Sequence, residues 1–183
     1  MTDAGLSPEL DAESIVATLN KFGVKYVVIG AFAAQLQGAP IPRTRDIDVT
    51  PATDAANLRR LSDALQELQA RIRTADVPEG LLFDHDGPSL GKARMWNLTS
   101  PFGEFDIAFA PSGTEGYDDL ARRALIVESH GEFFPVADLD DVIRSKEAAG
   151  RPKDIVQLPI LIQTARKRNL EREGRDSGLD IGF

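Results

Sequence analysis

The sequence predicts an α+β fold, a small mixed β-sheet flanked by helices, and three observations predict it. Short β-branched runs bounded by glycine or proline read as strands. Longer stretches with apolar residues at helical spacing separate them. The chain then closes on two helical segments. Its 183 residues fit one domain with a core of useful size. With 42% hydrophobic and 27% charged residues, the composition is that of an ordinary globular protein.

In chain order, Ser7-Pro8 reads as a helix cap with a first-turn proline, and Ile15, Val16, Leu19 and Phe22 then recur at helical spacing up to Gly23. Val24 to Ile29 is an apolar, β-branched run between glycines, as in a buried strand. Gly30 opens a short helix that closes at Gly38. Asp46 to Thr50 alternates polar and apolar residues and stops at Pro51, a second strand with Ile47 and Val49 toward the core. Thr53 caps a long helix whose Leu58, Leu61, Leu65, Leu68 and Ile72 form one apolar stripe. Beyond the loop Asp84-His85-Asp86-Gly87, the runs Ala93 to Thr99 and Glu104 to Ala110 flank Ser100-Pro101-Phe102-Gly103 as a hairpin. A short helix from Tyr117 to Arg123 precedes strands at Ala124 to Glu128 and Phe133 to Val136. Helices follow from Asp138 to Ala149 and from Lys153 to about Arg168, the second kinked or restarted at Pro159. Residues 1–168 thus form a single domain, and 169–183 a charged, flexible tail.

Composition narrows the chemistry. The absence of cysteine excludes disulfides and thiolate metal sites. No apolar stretch reaches the roughly 18 residues that cross a bilayer. Met1 to Pro8 is polar and lacks a signal peptide's basic start and apolar core, so a cytoplasmic protein with no membrane partner is expected. The net charge of −8 argues against wholesale wrapping of nucleic acid, though local basic surfaces remain open at Arg43 and Arg45, Lys92 and Arg94, or Arg144 to Lys153. His85 and His130 stand apart without metal-ligand spacing, and the chain has neither a Walker A pattern nor a G-x-S-x-G elbow.

The chemistry instead centres on Asp46-Ile47-Asp48. Residues two apart on a strand project from one face, roughly 6 to 7 Å apart, so the two carboxylates can clamp a hard cation while Ile47 anchors the strand. Magnesium takes one or two protein carboxylates plus phosphate oxygens, which suits Mg²⁺, or Mn²⁺, bound with a nucleoside triphosphate (NTP). Solvated Asp pairs at strand ends are common, so the pair alone decides little. Gly30 adds to it, because free N–H groups at a strand-to-helix junction can hold phosphate, although a glycine there also suits a plain tight turn. Asp106 is the third element, an acid in the apolar run Glu104-Phe105-Asp106-Ile107. A carboxylate on a neighbouring strand would complete a site for ions about 3.5 to 4 Å apart, or take the proton of an attacking hydroxyl. The wet face of a hairpin is its other explanation.

These residues reach a family resemblance. Val27-Val28-Ile29-Gly30-Ala31-Phe32-Ala33, then Gly38, then Arg43-Thr44-Arg45-Asp46-Ile47-Asp48 resembles the signature of DNA polymerase β-type nucleotidyltransferases, and within them the compact AbiEii and MenT-like toxins of toxin–antitoxin systems. Arg144-Ser145-Lys146 through Arg151-Pro152-Lys153-Asp154 resembles a Lys and Lys-Asp element of the same toxins. The resemblance implies a polymerase β-type core with C-terminal helices. It also implies that Asp46, Asp48 and Asp106 hold the metal and carry catalysis, that Gly30 and Ala31 cradle triphosphate, and that Lys146 contacts it. Arg43 and Arg45 would bind phosphate or acceptor, with ordinary surface charge as their other explanation. Lys153 and Asp154 come last, since a Lys-Asp pair also suits a helix start. Ala31 departs from the Gly-Ser or Gly-Gly usual at that turn, losing a hydroxyl contact but keeping backbone N–H groups.

By resemblance the reaction is transfer from NTP to RNA, at the tRNA 3′ end, by a toxin with a cognate antitoxin. The alternatives are modification of a small molecule such as an aminoglycoside, or a catalytically idle nucleotide-binding regulator. Thr44, two residues before Asp46, could be a regulatory phosphorylation site, since a phosphate would add about −1.5 to −2 charges beside the metal ligands. Local packing or hydrogen bonding is the plainer explanation of Thr44.

Overall fold

The computed structural model describes residues 8–178. Helix α1 (Ala12–Lys21) is capped by Asp11, whose carboxylate accepts from the Ser14 N–H at 3.0 Å. The cap is therefore not at Ser7-Pro8, and Ser7 lies outside the described residues. Strand β1 (Tyr26–Ile29) leads directly into α2 (Gly30–Leu36), and β2 (Asp46–Pro51) follows a loop pinned by the Gln35 side chain, which donates to the Pro42 carbonyl at 2.5 Å.

Helix α3 (Ala55–Glu67) starts one residue later than expected, because Asp54 rather than Thr53 supplies the capping oxygen, to the Asn57 N–H. Leu58, Leu61, Leu65 and Leu68 are buried as predicted. Ile72 has left the stripe: the chain turns at Gln69, at φ 51°, and Ile72 belongs to the two-residue strand β3 (Arg71–Ile72). Strand β3 and the one-turn helix α4 (Gly87–Leu90) are too short to show a period in the sequence. The expected hairpin is β4 (Met95–Ser100) with β5 (Gly103–Ala108).

Helix α5 (Tyr117–Ala121), strands β6 (Leu125–Ser129) and β7 (Glu132–Val136), helix α6 (Leu139–Ala149) and helix α7 (Pro152–Gly178) complete the chain. Pro159 sits inside α7 on an exposed position, so it does not start the helix afresh. The segment expected to become a tail at Asn169 is helical through Gly178. Arg168 Nη1 donates to Gln37 Oε1 at 2.5 Å, and Arg172 lies 3.7 Å from Asp138, so side chains around the predicted end tie the helix to α2 and α6. Residues 179–183 lie outside the described residues.

The seven strands form one mixed sheet in the order β3-β4-β5-β2-β1-β7-β6, with β2·β5 and β1·β7 parallel and the other pairs antiparallel. The predicted α+β architecture of a mixed sheet flanked by helices is the one observed. Tyr26, Val27 and Val28 of central β1 are all buried, as expected for a strand covered on both faces. Asn57, fully buried, donates to the Lys25 and Ala52 carbonyls and accepts from the Lys25 N–H, locking the ends of β1 and β2 together. That lock holds β1 and β2 in the register that carries the site. Among the described residues, no helix is long and apolar enough to cross a membrane.

Candidate active site

Parallel pairing of β2 with β5 decides the geometry. Asp48 stands opposite Asp106 and Asp46 opposite Glu104, while Ile47 and Val49 stand opposite Phe105 and Ile107. The apolar four are buried at 1% exposure or less, so period-2 alternation forces the acids onto the other face. One carboxylate oxygen each from Asp46, Asp48 and Asp106 lies within 4.8 Å of the others. The pair Asp46 and Asp48 is thus joined by a third acid from another strand.

Packing three acids together has a cost. Burial first, then the charges of Asp46 and Asp106, push the Asp48 carboxyl up to about 7 against the pull of Lys153 and Arg151. Burial likewise pushes Asp106 up to about 6, with Arg73 opposing and the charges of Asp46 and Glu104 adding to the rise. A divalent ion would neutralise this repulsion.

Gly30 is positioned by the same register, since Ile29 pairs with Asp48. It has φ +74°, and a Cβ there would lie 2.2 Å from Asp48 Oδ2. The glycine is thus required by the carboxylate itself, besides any approach of phosphate to the backbone. Ala31 follows in the first turn of α2. Thr44 Oγ1 donates to Asp46 Oδ1 at 2.6 Å, so its hydroxyl already touches a candidate metal ligand.

Behind the acids opens a cavity of about 450 Å³ whose walls include Gly30, Asp48, Asp106, Leu120, Val142, Lys146 and Arg151. The other predicted cations divide. Arg43 lies on the surface, its side chain 80% exposed and 3.6 Å from Glu9, and Arg45 is also exposed. Lys146 reaches the cavity wall, but its Nζ donates to Asp154 Oδ1 at 2.7 Å. Asp154 is fully buried and accepts from Arg151 Nε at 2.5 Å as well. Burial opposes the Asp154 charge, but the hydrogen bonds from Arg151 and Lys146 outweigh it and hold the carboxyl below the usual range. Asp154 is therefore a structural anchor between α6 and the start of α7. Replacing it by Ala would leave the Lys146 ammonium buried and unpaired, an expected loss of about 3 kcal/mol or more. The urea midpoint measures this, and an unchanged midpoint would contradict it.

Lys153, ranked last from sequence, acts with its charge on both Asp48 and Asp106. Two further residues near the acids stand outside the predicted site. Arg151 belongs to the basic stretch that ends at Lys153, and the fold brings it to the cavity wall. Arg73 follows β3 and bridges Glu104 and Asp106, with its nitrogens 2.6 and 2.7 Å from their oxygens.

No protein-family model matches the sequence, and no curated protein is similar to it at a significant level. Solved structures do match. The lincosamide antibiotic adenylyltransferase LnuA, lincomycin-bound, superposes with a TM-score of 0.56 at 12% identity, over 85% of this chain and 99% of that one. A Thermotoga maritima protein described as a nucleotidyltransferase gives 0.51 at 18% identity, over 85% and 96%. ANT(2'')-Ia in complex with adenylyl-2''-tobramycin gives 0.50 at 15% identity, over 91% and 95%. The chain therefore has the fold that these nucleotidyltransferases share, a mixed sheet flanked by helices. At these identities the likeness establishes the fold alone.

Proposed function

We propose that this protein is a metal-dependent nucleotidyltransferase that moves a nucleotidyl group from an NTP to an acceptor hydroxyl. The observation that carries the reading is the convergence of Asp46, Asp48 and Asp106 within 4.8 Å beside a cavity of about 450 Å³. An all-carboxylate donor set fits a hard ion such as Mg²⁺ or Mn²⁺. Such an ion, when bound, neutralises charge on the reacting phosphate and favours the ionised acceptor.

In this reading Asp46 and Asp48 hold the ion with the triphosphate, and Asp106 completes the site and accepts the acceptor's proton. The N–H groups of Gly30 and Ala31, with the charges of Arg151 and Lys153, hold the phosphates. The acceptor oxygen bonds to the α-phosphorus, the bond to the bridging oxygen breaks, and pyrophosphate leaves. Lys146 serves this arrangement by fixing α6 through Asp154.

Two acceptors have separate support. Resemblance of Arg43 to Asp48 to AbiEii and MenT-like toxins supports the tRNA 3′ end, with the exposed Arg43 and Arg45 available to its phosphates and an antitoxin as partner. The fold shared with LnuA and ANT(2'')-Ia supports a small hydroxylated antibiotic, and the net charge of −8 suits a cationic one. Incubation with each labelled NTP, Mg²⁺ or Mn²⁺, and either total tRNA or an aminoglycoside and lincosamide panel separates them. Label should move to one class and not with Asp48→Asn. Tight NTP binding with no transfer to any acceptor would make the protein an idle nucleotide-binding regulator.

Phosphorylation of Thr44 is the regulatory part of the proposal. A phosphate of about −1.5 to −2 charge would replace the hydroxyl now donating to Asp46, with an expected hundredfold or greater loss of transfer. Intact mass after coexpression with a kinase-like antitoxin tests it, and an unchanged mass counts against it.

A further inference from the structure

The face that carries the three aspartates carries a fourth carboxylate. Glu104 stands opposite Asp46 as Asp106 stands opposite Asp48, so the acids form a two-by-two block. A hard ion takes whichever oxygens are within reach, so something must decide how many of the four carboxylates it meets.

Arg73 makes that distinction. It lies just past β3, two strands from β5 in the sheet, and its N–H donates to the Asn97 carbonyl at 2.9 Å. Nη1 donates to Glu104 Oε2 at 2.6 Å and Nη2 to Asp106 Oδ1 at 2.7 Å. The side chains of Arg73, Glu104 and Asp106 are 27%, 23% and 14% exposed, so the bridge is largely shielded from water. A planar guanidinium reaches the two carboxylates through separate nitrogens held at a fixed spacing, whereas an ammonium is a single point charge on a flexible stem.

We propose that Arg73 sets the ligand number of the metal site: it withholds Glu104 from the ion and ties up one oxygen of Asp106, so that Asp46, Asp48 and Asp106 alone hold it. The inference rests on the metal-dependent reading above. Arg73 is a positioning residue, acting through Glu104 and Asp106. Its removal releases oxygens to the site and deletes a positive charge, so the divalent ion binds more tightly but with the wrong ligands, and transfer slows.

The test is Mn²⁺ binding to the full chain, by calorimetry for affinity and by pulsed electron paramagnetic resonance for the number of waters on the ion. Arg73→Ala should tighten Mn²⁺ about tenfold and displace a water. A second change, Glu104→Gln, should restore that water and bring affinity back to within about twofold of wild type. Glu104→Gln alone, which keeps Arg73, should leave the water number unchanged. The proposal is overturned if Arg73→Ala leaves affinity and hydration unchanged, if it weakens binding, or if the tightening survives Glu104→Gln. It is also overturned if Glu104→Gln alone adds a water, a result that stands even should the Arg73 variant fail to fold. Wild type that binds no Mn²⁺ fails both this inference and the metal-dependent reading, which the other outcomes leave intact.

Discussion

Asp48→Asn is expected to lower nucleotidyl transfer by about a thousandfold or more while making the ion-free protein more stable. The loss follows from removing a central carboxylate of the proposed metal site. The gain follows from electrostatics: in the folded chain, burial and the charges of Asp46 and Asp106 raise Asp48 from 3.8 to about 7. A carboxyl raised on folding binds protons more tightly in the folded state, so its contribution to stability is full below about 4 and is lost as pH rises toward about 7. The ion-free wild type should therefore weaken across that window, and Asp48→Asn should flatten the curve. Each pH unit between the folded and unfolded values corresponds to about 1.4 kcal/mol, so a gain of roughly 2 to 4 kcal/mol at pH 8 is expected. Thermal melts in chelator from pH 4.5 to 8 measure it. Added Mn²⁺ should stabilise wild type and not the variant. A variant less stable than wild type at pH 8 would show that neither burial nor the neighbouring acids penalise the Asp48 charge in the fold.

Gly30→Ala should cost about 2 to 4 kcal/mol and most of the Mn²⁺ affinity. The added Cβ would lie 2.2 Å from Asp48 Oδ2, on a backbone at φ +74° that disfavours any side chain. Asp48 has to turn away for the protein to fold, so stability and metal binding fall together. Gly38→Ala is the control: its φ is +86°, yet a Cβ there meets nothing within 4 Å. It should cost about 1 kcal/mol and leave Mn²⁺ binding intact. Urea denaturation and Mn²⁺ titration read both quantities. Equal losses from the two variants would mean that backbone strain, rather than the approach of Asp48, is what Gly30 relieves.

The parts of the site readable in the sequence are those whose cause is local. Asp46-Ile47-Asp48 and Phe105-Asp106-Ile107 announce themselves because a strand alternates with a period of two, so burying Ile47, Phe105 and Ile107 places each acid on the opposite side. Gly30 is legible as a strand-to-helix junction. Helix caps at Asp11 and Asp54 lie near the predicted Ser7-Pro8 and Thr53, but a single side-chain oxygen decides each start, and neighbouring polar residues compete for it. The end of α7 was missed for another reason: Arg168 and Arg172 reach Gln37 and Asp138, partners remote in sequence.

By itself, then, the sequence determined the longer strands, most of each helical stripe, the face on which Asp46, Asp48 and Asp106 project, and the glycine turn, all products of spacing over a few residues. Tertiary structure decided the parallel pairing of β2 with β5, which sets Asp48 against Asp106, and the buried anchor from Asp154 to Lys146. It alone brought Arg73 across from β3, a strand too short to leave a periodic trace. Hydrophobic alternation fixes which face a side chain takes, but which strands become neighbours depends on packing across the whole core.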